Sequence, residues 1–179
     1  MPTIYIFPGA HKTGTSLLQS ALEKCRPVLE EAGYAIARRQ LFYSSGLHAG
    51  LRNRDSDLGL DVMRELAREV FMTPTLERDL VLSIENLFGE VSKHPYAQAR
   101  RVLARLQDML PDHQVRVTYF VRRQDTFLES FYVQTIHKGS DWDFSTFLDS
   151  YGEINLDWVS LLKPIRRNIP SDALDVRAF

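Results

Sequence analysis

Short runs of β-branched and aromatic residues alternate along the chain with longer segments whose apolar positions recur about every 3.6 residues. The runs predict strands over residues 3–7, 34–37, 80–84, 115–121 and 174–179, several of them almost continuously apolar, as strands covered on both faces are. Leu17, Leu18, Ala21, Leu22, Cys25, Val28 and Leu29 form one helical stripe, and Val102, Leu103, Leu106, Met109 and Leu110 form another. Both stripes predict a helix face laid on a sheet. Residues 41–57 (LFYSSGLHAGLRNRDSD) are polar, rich in Gly and Ser and without a clear period, which predicts a surface loop. No repeat or low-complexity linker interrupts the alternation. It therefore predicts an α/β fold, a three-layer sandwich around a central parallel sheet, as one domain over residues 1–179. The last run reads as a core strand, with the domain minimal or truncated beyond it.

Composition narrows the partners. Lys and Arg number 22 against 23 for Asp and Glu, so no overall positive excess points to nucleic acid or a membrane surface. An anion site must be local. The single cysteine, Cys25, excludes an internal disulfide, and its place in the apolar stripe predicts a small buried hydrophobe. The N-terminus lacks the pattern of a signal peptide, and no stretch reaches the run of about 20 apolar residues that spans a membrane. The expectation is a soluble, cytoplasmic protein. The histidines have neither HExxH nor paired spacing, so no metal site is expected.

Parallel sheets place ligands beyond the carboxyl ends of their strands, and three predicted strand ends carry suitable polar residues. After the first comes GAHKTGTS, residues 9–16, leading into the first helix. Two glycines, a lysine and the hydroxyls of Thr13, Thr15 and Ser16 at a helix start make a phosphate cradle, because the free N–H groups and the helix dipole attract an anion. Gly9 and Gly14 match the glycine spacing of GxxxxGK[ST], but Thr15 stands at the lysine position and Lys12 precedes the second glycine. The displaced lysine points to a chemistry other than that of ordinary nucleoside triphosphatases.

With His11-Lys12-Thr13-Gly14-Thr15 followed by Leu18-Gln19, the loop resembles that of sulfotransferases using 3′-phosphoadenosine-5′-phosphosulfate (PAPS), particularly bacterial members with an H-K-T-G-T loop. A second stretch, VTYFVRRQDTFLESFYVQ, carries the same resemblance through Arg122 and Ser130. The resemblance implies a P-loop-like nucleotide site. In it, His11 to Ser16 hold the 5′-phosphosulfate, Lys12 lies near the bridging oxygen, and Arg122 and Ser130 hold the 3′-phosphate. Arg123 is the rival for the arginine role. Leu17 stands where many animal cytosolic members have a tryptophan packed on adenine.

Sulfuryl transfer moves a group in line between oxygens, so positioning and electrostatic stabilisation dominate, and the acceptor's proton needs a base. Glu85, just past the third strand in SIEN, is the first candidate; His48 and His11 compete with it, and Ser83 and Asn86 are placed to orient the base or the acceptor. The expected function is a PAPS-dependent sulfotransferase releasing 3′,5′-adenosine bisphosphate and acting on a hydroxyl or amine of a small molecule or carbohydrate. The alternatives are a small-molecule kinase with a divergent loop and a non-catalytic nucleotide-binding domain.

Overall fold

The computed structural model describes residues 1–9, 13–53, 56–89, 96–151 and 156–179. Along the chain run β1 (Thr3–Phe7), α1 (Thr15–Lys24), α2 (Arg26–Glu31), β2 (Tyr34–Ile36), α3 (Arg39–Ser44), α4 (Leu47–Arg52), α5 (Leu60–Phe71), β3 (Asp79–Ser83) and α6 (Ala99–Met109). Then follow β4 (Gln114–Val121), α7 (Gln124–His137), α8 (Phe144–Tyr151), α9 (Trp158–Arg166) and β5 (Leu174–Ala178). The strands make one sheet, ordered β2-β3-β1-β4-β5 and parallel throughout. Each predicted strand is present to within a residue at either end. The fold is α/β, with helices flanking the sheet.

The two faces of the sheet are covered unequally. Register sets Ile4 beside Leu80 and Val115, and Ile6 beside Leu82 and Val117. This face is buried in one core with Leu47 and Leu51 of α4, Met63 and Ala67 of α5, Val102 and Leu106 of α6, and Ile165 of α9. Burying each such aliphatic side chain stabilises the fold by about 2 kcal/mol. The opposite face carries Tyr5, Phe7, Val81, Ser83, Arg116 and Phe120, and α1 and α2 lie on it. Gln19 of α1 donates from Nε2 to the Ser83 carbonyl at 3.1 Å, and Arg26 of α2 donates from Nη1 to the Ile36 carbonyl at 2.7 Å. Beyond β1 this face is thinly covered: Arg116 is exposed and Phe120 only half-buried.

That asymmetry overturns three expectations. The α1–α2 stripe is not a buried sheet-facing surface, for Leu17 and Val28 are 75% and 68% exposed and Cys25 is exposed rather than a core hydrophobe. Leu17, Leu18 and Ala21 instead line an open cavity with Phe120 and Phe179. The strand at the chain's end is not a core strand either. β5 pairs only with β4, and from Asp175 onward it is exposed, with Asp175 and Arg177 paired to each other at 2.7 Å. Finally, the described part of residues 41–57 is largely two helices, not a loop. Phe42, Leu47 and Leu51 are fully buried, but Gly46, at φ +86°, breaks the segment into two short helices and interrupts the period.

No helix among the described residues is long and apolar enough to cross a membrane.

Candidate functional site

From β1 the chain departs toward β2, and from the neighbouring β4 it departs the other way, toward β5. The loops after these adjacent strands therefore diverge, which opens a crevice beyond their carboxyl ends.

In the loop after β1, His11 and Lys12 lie outside the described residues, whereas Gly9 and Thr13 onward are described. Gly9 has φ +55°, and a Cβ on it would lie 2.5 Å from the Thr15 hydroxyl oxygen. Gly14, at φ +72°, caps α1 in the left-handed conformation that favours glycine. Its carbonyl accepts from the N–H groups of Leu17 and Leu18 at 2.9 and 3.1 Å. The N–H groups of Thr15 and Ser16 thus precede the first intrahelical bonds and are left for another acceptor. No acidic residue occupies the first turn of α1, so nothing on the helix offsets its positive end. Thr15 is 7% exposed and its Oγ1 has no hydrogen-bond partner among the described residues. Leaving a buried hydroxyl unpaired costs about 1–3 kcal/mol, which a ligand oxygen would remove.

Arg122 follows β4 directly. Its Nε donates to Thr126 Oγ1 at 3.2 Å, Thr126 Oγ1 donates to the Arg123 carbonyl at 3.1 Å, and Trp158 Nε1 donates to the Arg122 carbonyl at 2.7 Å. The corner is therefore held from α7 and from α9. Ser130 lies one turn beyond Thr126 on the same face of α7, in line with the arginine. Arg123 is committed elsewhere: it forms an exposed ion pair with Asp125. That hydrogen bond raises the pKa of Arg123 and lowers that of Asp125. Arg122, by contrast, contacts Thr126 of α7 and the ring of Phe179.

Phe179 joins the two strand ends. Its N–H donates to the Val121 carbonyl at 2.8 Å, its ring packs against Gly14, and the Arg122 guanidinium lies 5.9 Å from the ring centroid. On this flank of α1 a cavity of about 320 Å³ is walled by Gly14, Thr15, Leu17, Leu18, Phe120 and Phe179. On the other flank a groove of about 300 Å³ is lined by Ser16, Gln19, Ser20, Arg39 and Ser83.

The third strand end lies beside the first. Ser83 is in register with Phe7, and the Ile84 N–H donates to the Phe7 carbonyl at 3.2 Å. Glu85 follows, half-buried and without a hydrogen bond or ion pair among the described residues. The neighbouring Asn86 Oδ1 accepts from the Tyr43 hydroxyl at 2.8 Å, and the Tyr43 ring lies 4.7 Å from that of His48. Burial raises the pKa of Tyr43, Arg39 and Arg52 oppose the rise, and the Glu85 carboxylate adds to it. His48 and Glu85, distant in sequence, thus belong to one cluster.

His48 is also contacted by Arg52 there. Arg52 Nη1 lies 3.1 Å from His48 Nε2, and a guanidinium only donates, so Nε2 is the acceptor and the proton sits on Nδ1. Of the other histidines, His94 lies outside the described residues, and His113 is half-buried against the Arg78 carbonyl at 3.1 Å.

Tyr43, Thr126 and Phe179 escaped the sequence reading. Thr126 had a signal, its spacing of four from Arg122; Phe179 had none, because its neighbours come from distant strand ends. No group of three or more His, Cys, Asp or Glu side chains among the described residues is arranged to hold a metal ion. No protein-family model matches the chain, and no curated protein matches it.

Proposed function

We propose that this chain is a PAPS-dependent sulfotransferase acting on a hydroxyl or amine. The observation that carries the reading is the pairing, across one crevice, of a helix-start loop whose buried Thr15 hydroxyl has no partner among the described residues with a held Arg122 at the end of the adjacent strand. A donor set split in this way fits an adenosine nucleotide with two separate anionic groups. The N–H groups of Thr15 and Ser16, with the Thr15 hydroxyl, hold the 5′ anion; Arg122, braced by Thr126, and Ser130 hold the 3′-phosphate. The apolar cavity beside Leu17 and Phe179 suits a purine, and there Phe179 replaces the aromatic partner that Leu17 cannot be.

PAPS, when bound, supplies an activated sulfuryl group. Glu85 takes the proton from the acceptor as its oxygen or nitrogen attacks sulfur and the sulfur–oxygen bond to the nucleotide breaks. Half-burial and the absence of an ion pair among the described residues support Glu85 in this role, and the Arg52–His48 contact argues against His48. Lys12, by its sequence position, stabilises charge on the departing oxygen.

The test is thermal unfolding with 3′,5′-adenosine bisphosphate, ADP and ATP. A ligand at about 100 times its Kd adds about 2.7 kcal/mol to stability. The bisphosphate is expected to raise the Tm most, and Thr15→Val is expected to lose that rise without a lower Tm of its own. Stabilisation by ADP but not by the bisphosphate would replace this reading with a kinase.

A further inference from the structure

The groove on the β2–β3 flank of α1 shares Ser16 with the nucleotide loop, but its chemistry is distinct from that of the apolar cavity opposite. Ser83 forms its floor at 9% exposure, and the Ser83 hydroxyl has no hydrogen-bond partner among the described residues. Gln19 has committed its amide N–H to the Ser83 carbonyl, which leaves its side-chain oxygen as an acceptor. Ser16 and Ser20 add exposed hydroxyls from α1.

The groove is lined by one carboxylate and one guanidinium. Its one lining carboxylate, Glu23, is held by Arg26 at 2.6 Å, and that hydrogen bond lowers the carboxyl pKa. Arg39, on the opposite wall, has no carboxylate partner among the described residues. Its guanidinium lies 5.8 Å from the Tyr43 ring centroid, a contact that holds it at the rim. Arg39 also hydrogen-bonds Tyr43, and its remaining N–H donors match a carboxylate. The groove's volume, about 300 Å³, lies at the small end of small-molecule sites and leaves room for one ring-sized ligand.

We propose that this groove binds a small polyhydroxylated carboxylate, a sugar acid in chemical class, with Arg39 on its carboxylate and Ser83 and Gln19 on its hydroxyls. That this ligand is the sulfuryl acceptor rests on the sulfotransferase reading; that it binds here does not. Tyr43, under Arg39 and bonded to Asn86 next to Glu85, connects the groove to the candidate base.

The experiment titrates the full chain with D-glucuronate and D-glucose, which share a pyranose ring and differ in the carboxylate, by calorimetry or NMR shift mapping. Glucuronate is expected to bind at least about tenfold more tightly, the effect of one charge-assisted contact. Arg39→Gln should abolish the preference. Ser83→Ala should weaken both sugars without lowering the Tm, since it removes a hydroxyl that bonds nothing in the fold. Both variants should keep the thermal shift with bisphosphate. Equal binding of the two sugars, binding of neither, or a preference that survives Arg39→Gln overturns the proposal. Glucuronate binding as expected with no bisphosphate shift upholds the groove and overturns the sulfotransferase reading alone.

Discussion

The ring of Phe179 lies so close over Gly14 that a Cβ added to the glycine would collide with the ring's edge. Gly14 also has φ +72°, where an L residue is strained by about 1–2 kcal/mol. Gly14→Ala is therefore expected to lower stability by at least that amount in urea unfolding and to abolish the bisphosphate shift. Phe179→Ala in the same background should relieve the collision but not the backbone strain, so stability should recover only in part. Full recovery would show that the φ of Gly14 is not a requirement.

Neighbouring arginines give an internal control. Arg122→Ala should weaken bisphosphate binding about tenfold or more, the cost of losing charge-assisted hydrogen bonds, and should leave ADP nearly unaffected. Arg123→Ala should change neither, because that side chain is exposed and paired with Asp125. Equal losses for both ligands in Arg122→Ala would remove the 3′-phosphate from its role.

For the base, Glu85→Gln is expected to keep the fold and nucleotide binding while transfer falls about a hundredfold or more, the usual contribution of a general base. His48→Asn should retain most of the activity. Were the two results exchanged, the Arg52–His48 contact would have to open during turnover, and Arg52→Gln would then speed transfer rather than leave it unchanged.

Acid should loosen the α2–β2 corner. The Arg26 hydrogen bond lowers the Glu23 pKa below its ordinary 4.5. A depressed folded value contributes stability that is present above the ordinary value and lost as pH falls through the folded one. Glu23→Gln should remove this part of the acid dependence, by less than about 1 kcal/mol since the carboxylate is half-exposed. Arg26→Ala should cost more at any pH, because it leaves the buried Ile36 carbonyl without its donor. Stability of the wild type and Glu23→Gln measured from pH 3 to 7 decides the point: parallel curves would exclude the linkage.

The sequence by itself determined the strands and the loops that follow them. β-branched runs bounded by polar strand ends are local signals, and Gly9, Gly14, Arg122 and Glu85 announce themselves by residue type and position. Burial in the α1–α2 stripe was not legible, since periodicity reports an apolar side but not whether a second layer meets it; Cys25 and Val28 stayed exposed for that reason. Helices α3 and α4 were hidden because Gly46 restarts the period. Tertiary structure alone paired Arg123 with Asp125, set Phe179 against Gly14, and brought Arg52 against His48. Each of these depends on which side chains meet across strands and helices, and that is settled by strand order and packing, information no single stretch of the chain contains.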